Sequence, residues 1–130
     1  MEFYRRLKAV ADATRLQQLI TLERLPELCA SIDTLLAQQG AQGQIYCVWG
    51  TFTVNREEIR DGIRFTLPGC PNALAWTITT EQENITIHCT INRTEQDADF
   101  VASIDQFVED WQTGLSSALR ERPDTPQVAE

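Results

Sequence analysis

The stretch QIYCVWGTFTV, residues 44–54, decides the fold that the sequence predicts. Its β-branched and aromatic residues are typical of a strand. Successive side chains of a strand point to opposite faces, and both faces of this strand are apolar. The row on one face is Tyr46, Val48, Phe52 and Val54, and the opposite row is Ile45, Cys47 and Trp49. One row therefore lacks a partner within the domain unless a helix or another chain covers it.

Three further strands are predicted at residues 59–67, 73–80 and 85–92, where apolar and polar side chains alternate. The connections between them are short, which favours antiparallel neighbours. The sequence therefore predicts a four-stranded antiparallel meander with a threonine-rich outer face. The inner face is predicted to carry Ile63, Phe65, Trp76, Ile87 and Cys89.

Helices are predicted both before and after the meander in the sequence. Residues 2–38 place apolar side chains three or four positions apart, and Pro26 divides them into two helices because proline crowds the preceding turn. Gly40 and Gly43 stop the second helix. Residues 96–121 are predicted to form a long amphipathic helix with a broad apolar stripe.

Together these elements predict a two-layer α+β domain at residues 1–120, in the order helix, helix, four strands, helix. The N-terminal helices and the long C-terminal helix cover one face of the sheet. Residues 121–130 contain two prolines and little apolar surface, so we expect a disordered C-terminal tail.

Charge and composition exclude several classes of function. The net charge of −8 argues against a nucleic-acid ligand, because binding phosphates requires cations. The apolar runs are far shorter than the roughly 20 residues needed to cross a bilayer. Since no signal peptide is recognisable, we expect a cytoplasmic protein with neither a membrane nor a nucleic-acid partner. The four cysteines form no CxxC pair and are expected to be reduced.

Two N-terminal segments resemble a known family. LKAVADATRLQQLITL, residues 7–22, and PELCASIDTLL, residues 26–36, are similar to the opening of ArsR-type winged-helix repressors. The resemblance implies a recognition helix and a winged hairpin downstream. Gly40 and Gly43 lead instead into the strand at 44–54, and the negative charge opposes DNA binding. We therefore interpret the match as a coincidence of helical sequence, and a transcription factor is the weakest hypothesis.

Cys70 is the candidate reactive thiol, because loops often hold nucleophiles. No base or cation adjoins it in sequence, however, and Gly69 and Pro71 favour a turn in which a small residue simply fits. His88 and Cys89 are strand neighbours that point to opposite faces, so they cannot share a metal ion. We predict no metal site, no cofactor and no catalytic residue.

Two groups of side chains are candidate binding sites. A candidate polar face of Arg60, Arg64 and His88 would suit a small anion, although ordinary solvent-facing residues are the simpler interpretation. An apolar pocket is the second candidate, between the sheet and the C-terminal helix, although tryptophans are also common in ordinary cores. Its lining residues would be Trp49, Trp76, Phe107 and Trp111.

The sequence supports two functions from different classes. The first is a non-catalytic protein-binding module, an adaptor or small chaperone-like protein. It would form a homodimer or bind a protein partner through the row Tyr46, Val48, Phe52 and Val54. The alternative is a small-molecule-binding protein or enzyme that uses the apolar pocket. Because no catalytic motif is present, the first hypothesis is favoured and the protein is not expected to be an enzyme.

Overall fold

A seven-stranded antiparallel sheet dominates the computed structural model, which describes residues 1–120. The strands are β1 (Glu2–Lys8), β2 (Ile32–Gln39), β3 (Gln42–Cys47), β4 (Gly50–Ile59), β5 (Gly62–Thr66), β6 (Ala75–Glu81) and β7 (Asn84–Thr90). Their spatial order is β1-β7-β6-β5-β4-β3-β2. The predicted four-stranded meander is therefore wrong, whereas the α+β class is confirmed. The tail predicted to be disordered, residues 121–130, lies outside the described residues.

Within residues 1–120, three helices accompany the sheet. They are α1 (Ala13–Leu19), α2 (Leu25–Leu28), which follows a 3₁₀ turn at Leu22–Arg24, and α3 (Ala98–Arg120). The carboxylate of Asp97 accepts hydrogen bonds from the backbone N–H groups of Asp99 and Phe100 at the start of α3, as a helix N-cap does. The predicted long C-terminal helix is thus confirmed. Across residues 1–120, none of the helices is both long enough and apolar enough to cross a bilayer.

Residues 2–8 form an edge strand rather than the predicted first helix. β1 pairs with β7 from Glu2 opposite Thr90 to Lys8 opposite Asn84. The prediction failed because Phe3 and Leu7, four residues apart, share a face in a strand as well as in a helix. Arg5 lies between them on the same side of β1, which points toward the core, and a charged residue is rare in such a position. Its guanidinium reaches Asp105 of α3 at 2.9 Å, and this pairing allows the inward position.

Residues 32–39 also form a strand where a second helix was predicted. The helix at Pro26 ends at Leu28, because Cys29 has an extended backbone with φ −142° and ψ 111°. β2 then pairs with β3 through a register that shifts twice. Leu36 lies at one of these irregularities and is exposed, so the four-residue spacing from Ile32 again did not indicate a helix.

The stretch 44–54 is a hairpin and not one strand. Cys47 pairs with Gly50, so Val48 and Trp49 form a two-residue turn, and Gly50 takes the φ of +111° that favours glycine. Ile45 consequently lies opposite Phe52, and both face inward. The premise of a single strand with two apolar faces is therefore wrong.

The helices pack on one face of the sheet, here called the inner face. It carries the buried side chains of Ile63, Phe65, Trp76, Ile87 and Cys89, as the alternation predicted. The opposite face, here called the outer face, is rich in threonine. The class, the long helix and the last hairpin were thus predictable, while both edges of the sheet were not.

Two sets of contacts fix α3 against the rest of the molecule. Gly114 lies so close to α2 that a side-chain Cβ there would collide with the carbonyl of Leu28. At the other side, Gln112 donates to the backbone carbonyl of Arg6 at 2.8 Å, beside the ion pair of Arg5 and Asp105. α3 is therefore held between α2 and β1, directly over the inner face.

Candidate functional site

An aromatic cluster lies between the inner face and α3. It contains all four predicted pocket residues: Trp49 from the β3–β4 turn, Trp76 from β6, and Phe107 and Trp111 from α3. Phe107 is the centre, because its ring centroid lies 5.0 Å from that of Trp49 and 4.8 Å from that of Trp76. Trp76 and Trp111 are 6.3 Å apart by the same measure. The structure thus brings the predicted residues together across three elements.

The cluster also includes Phe65 and Phe100, which the sequence analysis did not assign to the pocket. Phe65 stacks on Trp76 at 5.1 Å, and Phe100 meets the edge of Trp49 at 6.0 Å. The inward position of Phe65 was visible in the alternation of β5. Its membership of the cluster followed only from the register that places it opposite Trp76.

Two polar atoms inside the cluster have no hydrogen-bond partner. The indole Nε1 groups of Trp76 and Trp111 are fully buried, and within residues 1–120 neither meets an acceptor. Buried donors are nearly always paired in proteins, and an unpaired one costs about 1–3 kcal/mol. The cluster is therefore a packed apolar layer that contains two unpaired N–H donors.

Trp49 shows the ordinary arrangement for comparison. Its Nε1 donates to the hydroxyl of Ser103 at 2.8 Å, and Ser103 donates onward to the carbonyl of Phe100 at 2.6 Å. Trp49 is also half-buried, whereas the other two tryptophans are covered completely. It therefore forms the wall of the cluster that is nearest to solvent.

An open cavity of about 300 Å³ lies on the flank of α3 that faces α2. Its lining combines the aliphatic Leu28 and Ala118 with the carboxylate of Asp110 and the hydroxyl of Ser117. Asp110 is fixed there by the buried hydroxyl of Ser31, which donates to it at 2.6 Å. This cavity was not predicted from the sequence, because the predicted second helix extended through Ser31.

Cys70, the candidate reactive thiol, lies in the loop between β5 and β6. Its N–H donates to the carbonyl of Leu67, and its own carbonyl accepts from Ala73, so the chain turns on both sides of it. Cys70 is partly buried against the core, and the other three cysteines are fully buried. Burial raises the pKa of the Cys89 thiol to about 12, and it raises the pKa values of Cys29 and Cys47 as well. Cys70 is therefore the thiol most accessible to a reagent.

The predicted partner interface does not form one surface. Tyr46 and Val48 are about half exposed, at 50% and 58%. Val54 is completely buried, and Phe52 packs against the core. The turn at Val48 and Trp49 reverses the chain, which places Tyr46 and Phe52 on opposite faces. The row on which the protein-binding hypothesis rests is thus divided between the two sides of the sheet.

The predicted polar face forms in part. Arg64 and His88 both lie on the outer face, on either side of Thr77, because Arg64 pairs with Thr77 and Thr77 pairs with His88. Arg60 lies apart from them, in the turn between Ile59 and Gly62. In the described part of the chain, no group of three or more histidine, cysteine, aspartate or glutamate side chains is placed to hold a metal ion.

No protein-family model matches this chain, and no curated protein matches it. Among solved structures, the chain is similar to the crystal structure of DynU16, a protein in the dynemicin biosynthetic locus, with a TM-score of 0.57 and 16% sequence identity. The alignment covers 92% of this chain and 47% of DynU16, so the chain spans about half the length of that protein. At this identity the likeness shows a shared fold alone.

Proposed function

We propose that this protein binds an apolar small molecule between the inner face of the sheet and α3. The main support is the pair of indole N–H groups of Trp76 and Trp111, which are buried in the aromatic cluster and have no acceptor among residues 1–120. A molecule that places an acceptor atom between them would offset the cost of about 1–3 kcal/mol for each unpaired donor. Ligand sites in proteins combine apolar walls with a few polar groups that orient the ligand, and this cluster supplies both kinds of group.

The cluster also defines the chemical class of the ligand. Six aromatic side chains favour flat apolar rings, which stack on them or meet their edges. The two donors favour one carbonyl or ether oxygen on those rings. Because the protein rings lie 4.8–6.3 Å apart, a ligand must separate them. Trp49 and Phe100, the two half-buried members, have the least packing to lose.

The fold comparison supports a small-molecule ligand over a protein partner. DynU16, whose fold is shared, belongs to a biosynthetic locus, and biosynthesis is chemistry of small molecules. The protein-binding hypothesis depended instead on one apolar row at residues 44–54, and that row is divided by the hairpin turn. A ligand under α3 is therefore the function that the site supports best.

The experiment uses two probes that differ only in the acceptor, 2-acetylnaphthalene and 2-ethylnaphthalene. The chain has three tryptophans, so a ¹⁵N-labelled sample gives three indole N–H signals that report on the site separately. We expect 2-acetylnaphthalene to shift the signals of Trp76 and Trp111 saturably. It should bind about fivefold more tightly than 2-ethylnaphthalene, since one added hydrogen bond contributes about 1 kcal/mol.

Tryptophan-to-phenylalanine variants provide matched controls. Trp76→Phe and Trp111→Phe each remove a free donor and should reduce the preference for the ketone. Trp49→Phe removes an indole that is already paired with Ser103 and should leave the preference unchanged. If neither naphthalene shifts any indole signal saturably, or if both bind equally well to the wild-type protein, the proposal is wrong.

A further inference from the structure

We propose that the outer face of the sheet holds a second site, which binds a small oxyanion in the depression between Arg64 and His88. The anion is a carboxylate or a phosphate group. Both carry negatively charged oxygens that accept hydrogen bonds from arginine and histidine. This site lies on the side of the sheet opposite the aromatic cluster and does not depend on a ligand there.

The depression is a real concavity of the outer face. Its volume is about 200 Å³, and its lining includes Arg64, Thr77, His88, Thr90 and the small side chain of Ala75. Liquid water occupies roughly 30 Å³ per molecule, so this space suits an oxyanion with a few waters. A larger residue at position 75 would reduce the depression, because Ala75 lies on the outer face beside Thr90 and Thr66.

Strand register places the donors around this space. Arg64, Thr77 and His88 lie side by side on three adjacent strands. Adjacent strands are about 4.8 Å apart, so Arg64 and His88 stand roughly 10 Å from each other with the Thr77 hydroxyl between them. An oxyanion above Thr77 would then lie between these two side chains.

His88 is held in a defined orientation by β1. Its Nε2 lies 2.9 Å from Glu2 Oε1, the same oxygen that accepts from the Tyr4 hydroxyl at 2.8 Å. The Tyr4 ring stacks on the imidazole, with centroids 4.3 Å apart and planes within 2°. Because the carboxylate is an acceptor, Nε2 carries the hydrogen. In the part of the chain that is described, Nδ1 makes no hydrogen bond; it is an acceptor in the neutral ring and can donate to an oxyanion only when the ring is protonated.

Arg64 keeps donors available despite its partner. Its Nη1 contacts Glu57 at 3.3 Å, and 46% of its side chain is exposed. A guanidinium has five N–H donors, and one long contact occupies only one of them. Since Arg64 and His88 already contact carboxylates, we expect weak binding, with half-saturation on the order of 1–10 mM.

Protonation of His88 should strengthen the site, because the imidazolium donates from both nitrogens and adds a positive charge. The charged or titratable groups around it are Glu2, Tyr4 and Arg6 on β1 and Arg64 on β5.

The test is a titration with sodium sulfate, whose charge is constant near neutral pH, against sodium chloride of equal ionic strength. The chain has a single histidine, so its ring signals in an NMR spectrum report on the site without assignment ambiguity. We expect sulfate, but not chloride, to shift the His88 ring signals and the Thr77 amide saturably. Repeating the titration with acetate and with phosphate then distinguishes a carboxylate site from a phosphoryl site.

Two arginine variants make the test specific. Arg64→Gln removes the cation at the depression and should weaken sulfate binding at least about fivefold, as loss of a charge-assisted hydrogen bond does. Arg60→Gln makes the same charge change in the adjacent turn, outside the depression, and should leave the affinity within about twofold. If sulfate and chloride give the same linear shifts, or if the two variants weaken binding equally, there is no site between Arg64 and His88.

Discussion

Polar groups on the two faces of the sheet lie in opposite environments. On the inner face, Trp76 places an indole N–H in the driest part of the molecule without an acceptor, as does Trp111 above it. On the outer face, Arg64 and His88 each contact a carboxylate although water is available to both. An exposed ion pair contributes only about 0–1 kcal/mol, whereas an unpaired buried donor costs about 1–3 kcal/mol. The unusual energetics, and hence the best indication of a ligand, therefore lie on the inner face.

The largest expected difference between the faces is in stability. Trp111→Ala should lower the free energy of unfolding by about 4 kcal/mol, because it removes a fully buried ring and leaves a cavity. Thr77→Ala, on the outer face of β6, should change it by no more than about 1 kcal/mol. Urea denaturation of both variants measures the difference. Equal losses would mean that the outer face contributes to the core as much as the inner face does.

The arrangement of the inner face was predictable in one respect and not in another. Alternation in 73–80 and 85–92, and the helical stripe in 96–121, were enough to bring Trp76, Phe107 and Trp111 to one layer. The missing acceptors were not predictable, because they depend on where each indole nitrogen ends within the cluster. Sequence patterns specify a face of an element, but they do not specify an atom.

The predictions for the edges of the sheet failed for a different reason. Residues four apart, such as Phe3 and Leu7, lie on one face of a helix and also on one face of a strand. The spacing alone therefore could not separate β1 from a helix. The turn at Val48 and Trp49 failed because neither residue type is typical of turns, and Gly50 alone carried the signal. The alternating segments at 73–80 and 85–92 were reliable, whereas the one at 59–67 runs through the turn at Arg60 and Asp61. Short segments with a single spacing were not reliable.

A smaller effect tests the unpaired donors themselves. Trp76→Phe keeps an aromatic ring but removes the indole N–H, so lost packing and relief of the unpaired donor oppose each other. We expect the free energy of unfolding to stay within about 1 kcal/mol of the wild-type value. If Trp76→Phe costs more than about 3 kcal/mol, the N–H has a partner in solution and the contrast between the faces disappears.

The smallest expected effect is a pH dependence on the outer face. Hydrogen bonds from Tyr4 and His88 hold the pKa of Glu2 below its ordinary value. A carboxyl group whose pKa is lower in the folded state contributes stability above its unfolded pKa, near 4.3, and loses that contribution as the pH falls through the folded pKa. Glu2→Gln should therefore be less stable than the wild-type protein at neutral pH and should converge with it in acid.

The control for this effect is Glu81→Gln, an exposed glutamate of β6 whose side chain forms no hydrogen bond within residues 1–120. Thermal unfolding from neutral pH to about pH 3 should show convergence with the wild-type protein for Glu2→Gln. Glu81→Gln makes the same substitution without removing a hydrogen bond within residues 1–120. Glu2 is exposed and solvent screens its partners, so the convergence should be small. A large convergence would mean that β1 depends on the pairing of Glu2 with Tyr4 and His88. The outer face would then be as important to the fold as the packing on the inner face.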